Sequence, residues 1–175
     1  MSTLTASFGR PLPGEFNPYY DKYVSLVPSG DIVGLLEQQA PETVALFKSL
    51  SAKAHFRYAA GKWSVKEMLG HLNDTERIMA YRALRIARGD KTPLAGFEQD
   101  DYVRDGNFSQ RTLADLLDEF LTVRQATVAL FRHVDAEGGA RKGVANNSPA
   151  SVRALAYIIA GHELHHRKVL SEKYL

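Results

Sequence analysis

The 175-residue chain has no cysteine, which removes disulfides, thiolate metal ligands and a cysteine nucleophile from consideration and suits a reducing compartment. No run of 18 apolar residues is present to span a bilayer, and the N-terminus shows no basic flank followed by an apolar stretch of the kind that directs secretion. There is no excess of one charge either. Its 22 Lys and Arg against 20 Asp and Glu give a formal net charge of +2, with the two signs interleaved. A nucleic-acid surface or a polybasic membrane patch needs clustered cations, so both partners are set aside. The expectation is a soluble, cytoplasmic protein whose length suits one domain with a substantial core.

Period-two alternation is scarce as well, so no strand is expected, and neither repeats nor low-complexity tracts occur. Four of the seven prolines (Pro11, Pro13, Pro18, Pro28) fall in residues 1–28 beside Tyr19, Tyr20 and Tyr23. That stretch predicts an extended lead-in that packs by its aromatics, ahead of one helical domain over residues 29–175. Ile32, Leu35, Leu36, Val44, Leu46, Phe47 and Leu50 follow a helical period interrupted by Pro41, which predicts one kinked helix or two short ones.

Ser64 and Glu67 form a capping box with Trp63 just ahead, opening a second helix that stops at Gly89. Residues 90–108, with Phe97 to Tyr102 at their centre, read as a long loop of the sort that lines a functional entrance. Ser109 caps a third helix reaching about His133. A polar, glycine-rich link follows, and Ser148-Pro149 starts a last helix that runs nearly to the end. Four amphipathic segments predict an all-α chain, a helical bundle.

What the chain does have is a histidine cluster. In the last helix, Leu155, Ile159, His162, His166 and Val169 are spaced by four, three, four and three, the spacing of an inward seam. His162 and His166 therefore stand one turn apart where aliphatic residues are expected, and two imidazoles so placed can grip one metal ion. A site needs at least a third ligand. Of His55, His71, His133 or a carboxylate, His71 fits best: Met68, Thr75 and Ile78 share its side, and it lies about two turns inside its helix. An antiparallel partner would bring it level with the pair. His165 falls on the flank, and His55 and His133 read as structural.

His162-Glu163-Leu164-His165-His166 also matches H-E-x-x-H, in which the Glu is a general base on a zinc-bound water. The further ligand of those peptidases lies downstream, and nine residues remain after His166, so the chemistry is kept and the fold discarded. Glu163 is accordingly a candidate catalytic base, against the alternative of a solvated helix-face carboxylate. A single Glu-x-x-His match excludes a carboxylate-bridged di-metal centre. Glu76, on the Leu72 to Met79 seam, predicts either a buried pair with an arginine or a partner to a ligating histidine.

Lys62-Trp63-Ser64-Val65-Lys66-Glu67-Met68-Leu69-Gly70-His71-Leu72, then Asp74, Glu76 and Tyr81-Arg82, together with Gly161-His162 through His166-Arg167, resemble the DinB-like superfamily and within it the YfiT-like branch. The resemblance extends from about Ser29 to Leu175. It implies an up-down-down-up four-helix bundle, often a homodimer, with one divalent ion, nickel or zinc, held by His71, His162 and His166. It further implies a small-molecule substrate, with either hydrolase chemistry or S-transfer from a low-molecular-weight thiol such as bacillithiol, mycothiol or glutathione. The rival expectation is a non-catalytic, dimeric metal- or ligand-binding bundle, which a fourth protein ligand from Glu163, Glu76 or His165 would favour.

Overall fold

The computed structural model describes residues 8–175, so the first seven residues of the expected lead-in lie outside it. In chain order the elements are α1 (Asp21–Val24), α2 (Ile32–Ser49), α3 (Val65–Ala87), α4 (Gln99–Asp105), α5 (Leu113–Arg132), α6 (Ala136–Ala140), β1 (Lys142–Ala145), β2 (Ser148–Ser151) and α7 (Val152–Lys173). The four long helices α2, α3, α5 and α7 make a four-helix bundle. α3 packs on α5 and α7, and α2 packs on the same two, so the consecutive helices α2 and α3 face each other across a diagonal.

Side-chain bonds between helices give their directions. Gln39 reaches the Ala160 carbonyl and Thr43 reaches Glu163, so α2 and α7 ascend together. Asn73 bonds the Leu116 carbonyl and Glu76 pairs with Arg124, so α3 and α5 also run together. The Tyr174 hydroxyl donates to the Trp63 carbonyl at 2.6 Å, placing the end of α7 at the start of α3. The order is up-down-down-up, with α3 antiparallel to α7.

Local chemistry accounts for the helix ends. Ser64 and Glu67 complete the reciprocal capping box at the start of α3. At its end Gly89, with φ 79°, lets Asp90 N–H return to the Arg85 carbonyl at 3.1 Å and its own N–H to Ile86 at 2.9 Å, a Schellman stop. Pro41 sits inside a single α2, leaving the Glu37 carbonyl without an intrahelical donor.

Three expectations about the connections need correction. Thr112, not Ser109, caps α5 by accepting from Asp115 N–H at 3.1 Å, because Ser109 is spent in a tight turn of Phe108–Gln110. Residues 90–108 are not all loop, since α4 forms there behind Phe97. Ser148-Pro149 does not start the last helix: it belongs to β2, antiparallel to β1, and Ser151 is the cap of α7. Asn146 and Asn147 both take positive φ, 50° and 57°, which is the two-residue turn that joins twisted strands.

The buried apolar residues fall into two clusters, one around Leu36, Met79, Phe131 and Leu155 and the other around Phe47, Leu69, Leu116 and Phe120. Between them lies a polar layer. Arg124 of α5 sits there with its side chain 3% exposed, bonded through Nε and Nη2 to both oxygens of Glu76 on α3 at 2.9 and 2.8 Å. Nη2 also bonds Glu163 of α7 at 2.6 Å, and Nη1 bonds the Leu36 carbonyl of α2 at 2.8 Å. One side chain thus touches all four long helices. Burial works against its charge, but the carboxylates of Glu76 and Glu163 outweigh burial and hold its pKa above the ordinary arginine value. Arg124→Met leaves two carboxylates buried without their cation, and is expected to lower the unfolding free energy by about 3–5 kcal/mol in urea denaturation. A loss below about 1 kcal/mol would show that the pairing does not hold the bundle together.

Candidate metal centre

Each helix that supplies an imidazole places a glycine directly before it. At Gly70, ahead of His71, a Cβ would lie 2.4 Å from the Phe108 ring, and at Gly161, ahead of His162, it would lie 2.1 Å from the Tyr23 carbonyl oxygen. The glycines therefore let the turn after α4 press on α3 and let α1 press on α7, beside the histidines. Tyr23 is buried, and its ring stands edge-on to His162 with centroids 5.2 Å apart. The Trp63 ring, just before the α3 cap, lies 4.5 Å from that of His71.

Thus positioned, His71, His162 and His166 bring their Nε2 atoms together. His71 Nε2 lies 2.9 Å and His166 Nε2 3.0 Å from His162 Nε2, and all three residues are buried. Burial holds His71 down at a pKa of about 4 and holds His162 and His166 well below the usual histidine range, the neighbouring imidazoles adding to the effect on the latter two. All three are therefore neutral at pH 7, each with one ring lone pair.

Hydrogen atoms cannot satisfy this arrangement. A neutral imidazole nitrogen either donates once or accepts once, so His162 Nε2 can serve one of its two neighbours and not both. A divalent cation accepts all three lone pairs. Tetrahedral coordination at 2.0–2.1 Å puts nitrogens about 3.3 Å apart, close to the spacing found. Turning Nε2 inward leaves Nδ1–H outward: that of His71 lies 3.4 Å from Thr75 Oγ1, and that of His166 is buried with no partner. Among the described residues these three histidines are the one group of potential ligands converging within 4.8 Å. The donor set fits one divalent ion with an open position.

The carboxylates lie elsewhere. Glu163 is neither solvated nor turned to the histidines: one oxygen accepts from Thr43 Oγ1 and the other from Arg124. Burial raises its pKa, with Arg124 opposing. Glu76 makes the buried arginine pair. His165 is on the flank, half-buried against Tyr23, while His55 and His133 are exposed.

A cavity of about 330 Å³ opens on His71 and His162, walled by Tyr20, Tyr23, Arg82 and Phe97 among others. A second, of about 360 Å³, opens on His166 and is bordered by Trp63 and Tyr174. Phe97, Glu98 and Gln99 line the first cavity, as expected of the loop, and Tyr102 backs Phe97 at 5.1 Å. Sequence reasoning missed Arg124 and the direct part of Tyr23. The two Gly-His pairs were the available signal for close approach at these sites.

A family model of the DinB superfamily matches residues 35–170. No curated protein sequence matches the chain. Among solved structures, YfiT from Bacillus subtilis, described as a probable metal-dependent hydrolase with an unusual four-helix bundle topology, superposes with a TM-score of 0.69 at 14% identity, over 98% of this chain and 95% of that one.

Two outcomes follow from the geometry. Gly161→Ala must push the Tyr23 backbone off α7, so it is expected to cost about 1–3 kcal/mol in thermal unfolding and to speed amide exchange in residues 20–25. Unchanged exchange there would contradict the close packing. In the metal-free chain, unfolded histidines take up protons near about 6.5 and folded His71 only at about 4. Between those values the unfolded state binds more protons, so stability is full above pH ~6.5 and falls as pH drops toward ~4. Stability independent of pH in that window would show the imidazoles are not held neutral.

Proposed function

On the premise that the chain belongs to the DinB superfamily, whose model spans residues 35–170, we propose that it is a metal-dependent enzyme acting on a small molecule, with His71, His162 and His166 holding one nickel or zinc ion. The observation that carries this reading is the buried convergence of three neutral imidazoles, with no fourth protein ligand beside them among the described residues. An ion so bound would act as a Lewis acid in its open position, lowering the pKa of a water or thiol there and supplying a nucleophile at neutral pH. The chain's own residues do the rest. Trp63 and Tyr23 fix the planes of His71 and His162, and Tyr20, Tyr23 and Phe97 give the cavity before them a largely aromatic side. The fold shared with YfiT, itself described as a probable metal-dependent hydrolase, supports the hydrolase form of the reading.

One observation favours thiol transfer as the second form. Base-assisted hydrolysis was expected to use Glu163, and both oxygens of Glu163 are engaged by Thr43 and Arg124. Joining a low-molecular-weight thiol to an electrophile needs a thiolate and a pocket but no such base. The non-catalytic alternative loses ground because Glu163, Glu76 and His165 all stand outside the cluster. Homodimerisation and a cytoplasmic setting belong to the same proposal. Tyr81 and Leu84, exposed a turn apart on α3, are apolar surface that a second copy would cover.

The test compares zinc- and nickel-loaded protein with His162→Ala, folding checked by circular dichroism. Substrates are aryl esters and, separately, chlorodinitrobenzene with glutathione, bacillithiol or mycothiol, read as thioether formed and chloride released. One of the two activities is expected, falling roughly a hundredfold or more in the variant and on chelation. Activity indifferent to both would refute the metal-enzyme reading.

A further inference from the structure

Arg82 of α3 is 4% exposed, yet among the described residues no carboxylate lies within ion-pairing distance of its guanidinium. Every other arginine of the buried interior is neutralised: Arg124 has Glu76 and Glu163, and the half-buried Arg153 has Glu15. Arg82 makes one strong bond, Nη2 to the Ala95 carbonyl at 2.6 Å, and one weak contact, Nη1 to the Met79 sulfur at 3.6 Å, and its other near neighbour is the Tyr20 hydroxyl, a neutral group. A guanidinium has five N–H donors in a planar fork and stays charged at any pH a folded protein meets. A buried charge without a counterion is costly, and a site that keeps one is set up for an anion to supply what is missing.

The place of Arg82 gives that anion a use. It lines the same cavity as His71 and His162, with its guanidinium over the Phe97 ring at 5.9 Å, the Tyr20 hydroxyl beside it and Tyr23 also in the lining. Lys22, also without a carboxylate partner within ion-pair range among the described residues, stacks at 3.7 Å over Tyr19, which lines this cavity. Glu98 is the acid on this wall, and it is exposed, so water screens it where the buried Arg82 is not screened.

We propose that Arg82 is the anion subsite of this cavity, so that the molecule acted on is small, carries a carboxylate or phosphate group and has a flat unsaturated body that fits among Tyr20, Tyr23 and Phe97. The Arg82 fork would bind the anionic end bidentately and fix the reactive atom toward the three imidazoles. This deepens the metal-enzyme reading and rests on it for its purpose, but the binding itself does not require the ion.

The test is therefore calorimetric binding of benzoate, phenyl phosphate and neutral benzamide to the protein as purified and after chelation. At least one anion is expected to bind about tenfold or more tighter than benzamide, the size of one charge-assisted hydrogen bond, with and without the ion. Benzoate preferred marks a carboxylate substrate and phenyl phosphate a phosphate one. Arg82→Gln is expected to abolish the preference and Arg82→Lys to keep part of it. Should the glutamine variant fail to fold, the wild-type comparison still decides: no preference for either anion, or no binding of any probe at millimolar concentration, overturns the subsite. So does a preference lost on chelation, which puts the anion on the ion, and so does one that survives in Arg82→Gln. A metal-free protein that keeps the preference supports the subsite even if the enzyme reading fails.

Discussion

A guanidinium shut away from water has to find its partners or the fold that buries it does not form, and Arg124 finds one on each of the other three long helices. Its bonds to Leu36, Glu76 and Glu163 set how far α2, α3 and α7 slide relative to α5. Apolar side chains tolerate small shifts along a bundle; charge-assisted hydrogen bonds with donor-acceptor distances under 3 Å do not. Glu163 adjoins His162 in sequence, and Glu76 lies little more than a turn from His71. The register that satisfies Arg124 is thus the one that brings His71 level with His162 and His166. Position in the bundle and chemistry at the site are fixed by one layer of polar contacts between two apolar clusters.

That layer divides the work between charge and neutrality. Arg124, Glu76 and Glu163 keep their ionic partners to themselves, and on the other side of His162 the imidazoles are held neutral by burial. Neutral imidazoles are ligands, whereas protonated ones repel a cation, so desolvation keeps the three nitrogens in the form that a metal ion would need. Aromatic rings then close it: Trp63 against His71, Tyr23 against His162, with Tyr20 and Phe97 forming the wall toward solvent.

The helices and the histidine seam were readable because they follow period and capping rules that act locally. Leu155, Ile159, His162 and His166 are buried in the structure as in the pattern, with Val169 partly so, and Ser64 with Glu67 opens α3 as a capping box should. The antiparallel relation needed for His71 to reach the pair was an assumption at the level of sequence, and Tyr174 bonding Trp63 now carries it. Glu76 kept the arginine pair that its seam position suggested. For Glu163 the H-E-x-x-H string fixes where a side chain leaves the helix but not what waits for it, and here Arg124 and Thr43 wait on α5 and α2. Arg124 itself gave no local sign, since one arginine among the apolar positions of an amphipathic helix looks like a flank residue until its partners are known. The β1–β2 hairpin was hidden by composition: Gly143 and Pro149 argue against strands, and the asparagine pair at the turn was the signal to weigh more heavily.

The claim on which the rest stands is that three imidazoles from two helices hold one ion. Elemental mass spectrometry of untagged protein, wild type beside His71→Ala, tests it most directly, with X-ray absorption on the metal found. The account predicts near-stoichiometric nickel or zinc in the wild type with nitrogen neighbours at about 2.0–2.1 Å, and its loss in the variant. Wild-type protein that neither carries nor takes up either metal, or a variant that keeps its ion, would contradict it and leave His71 a histidine of the core.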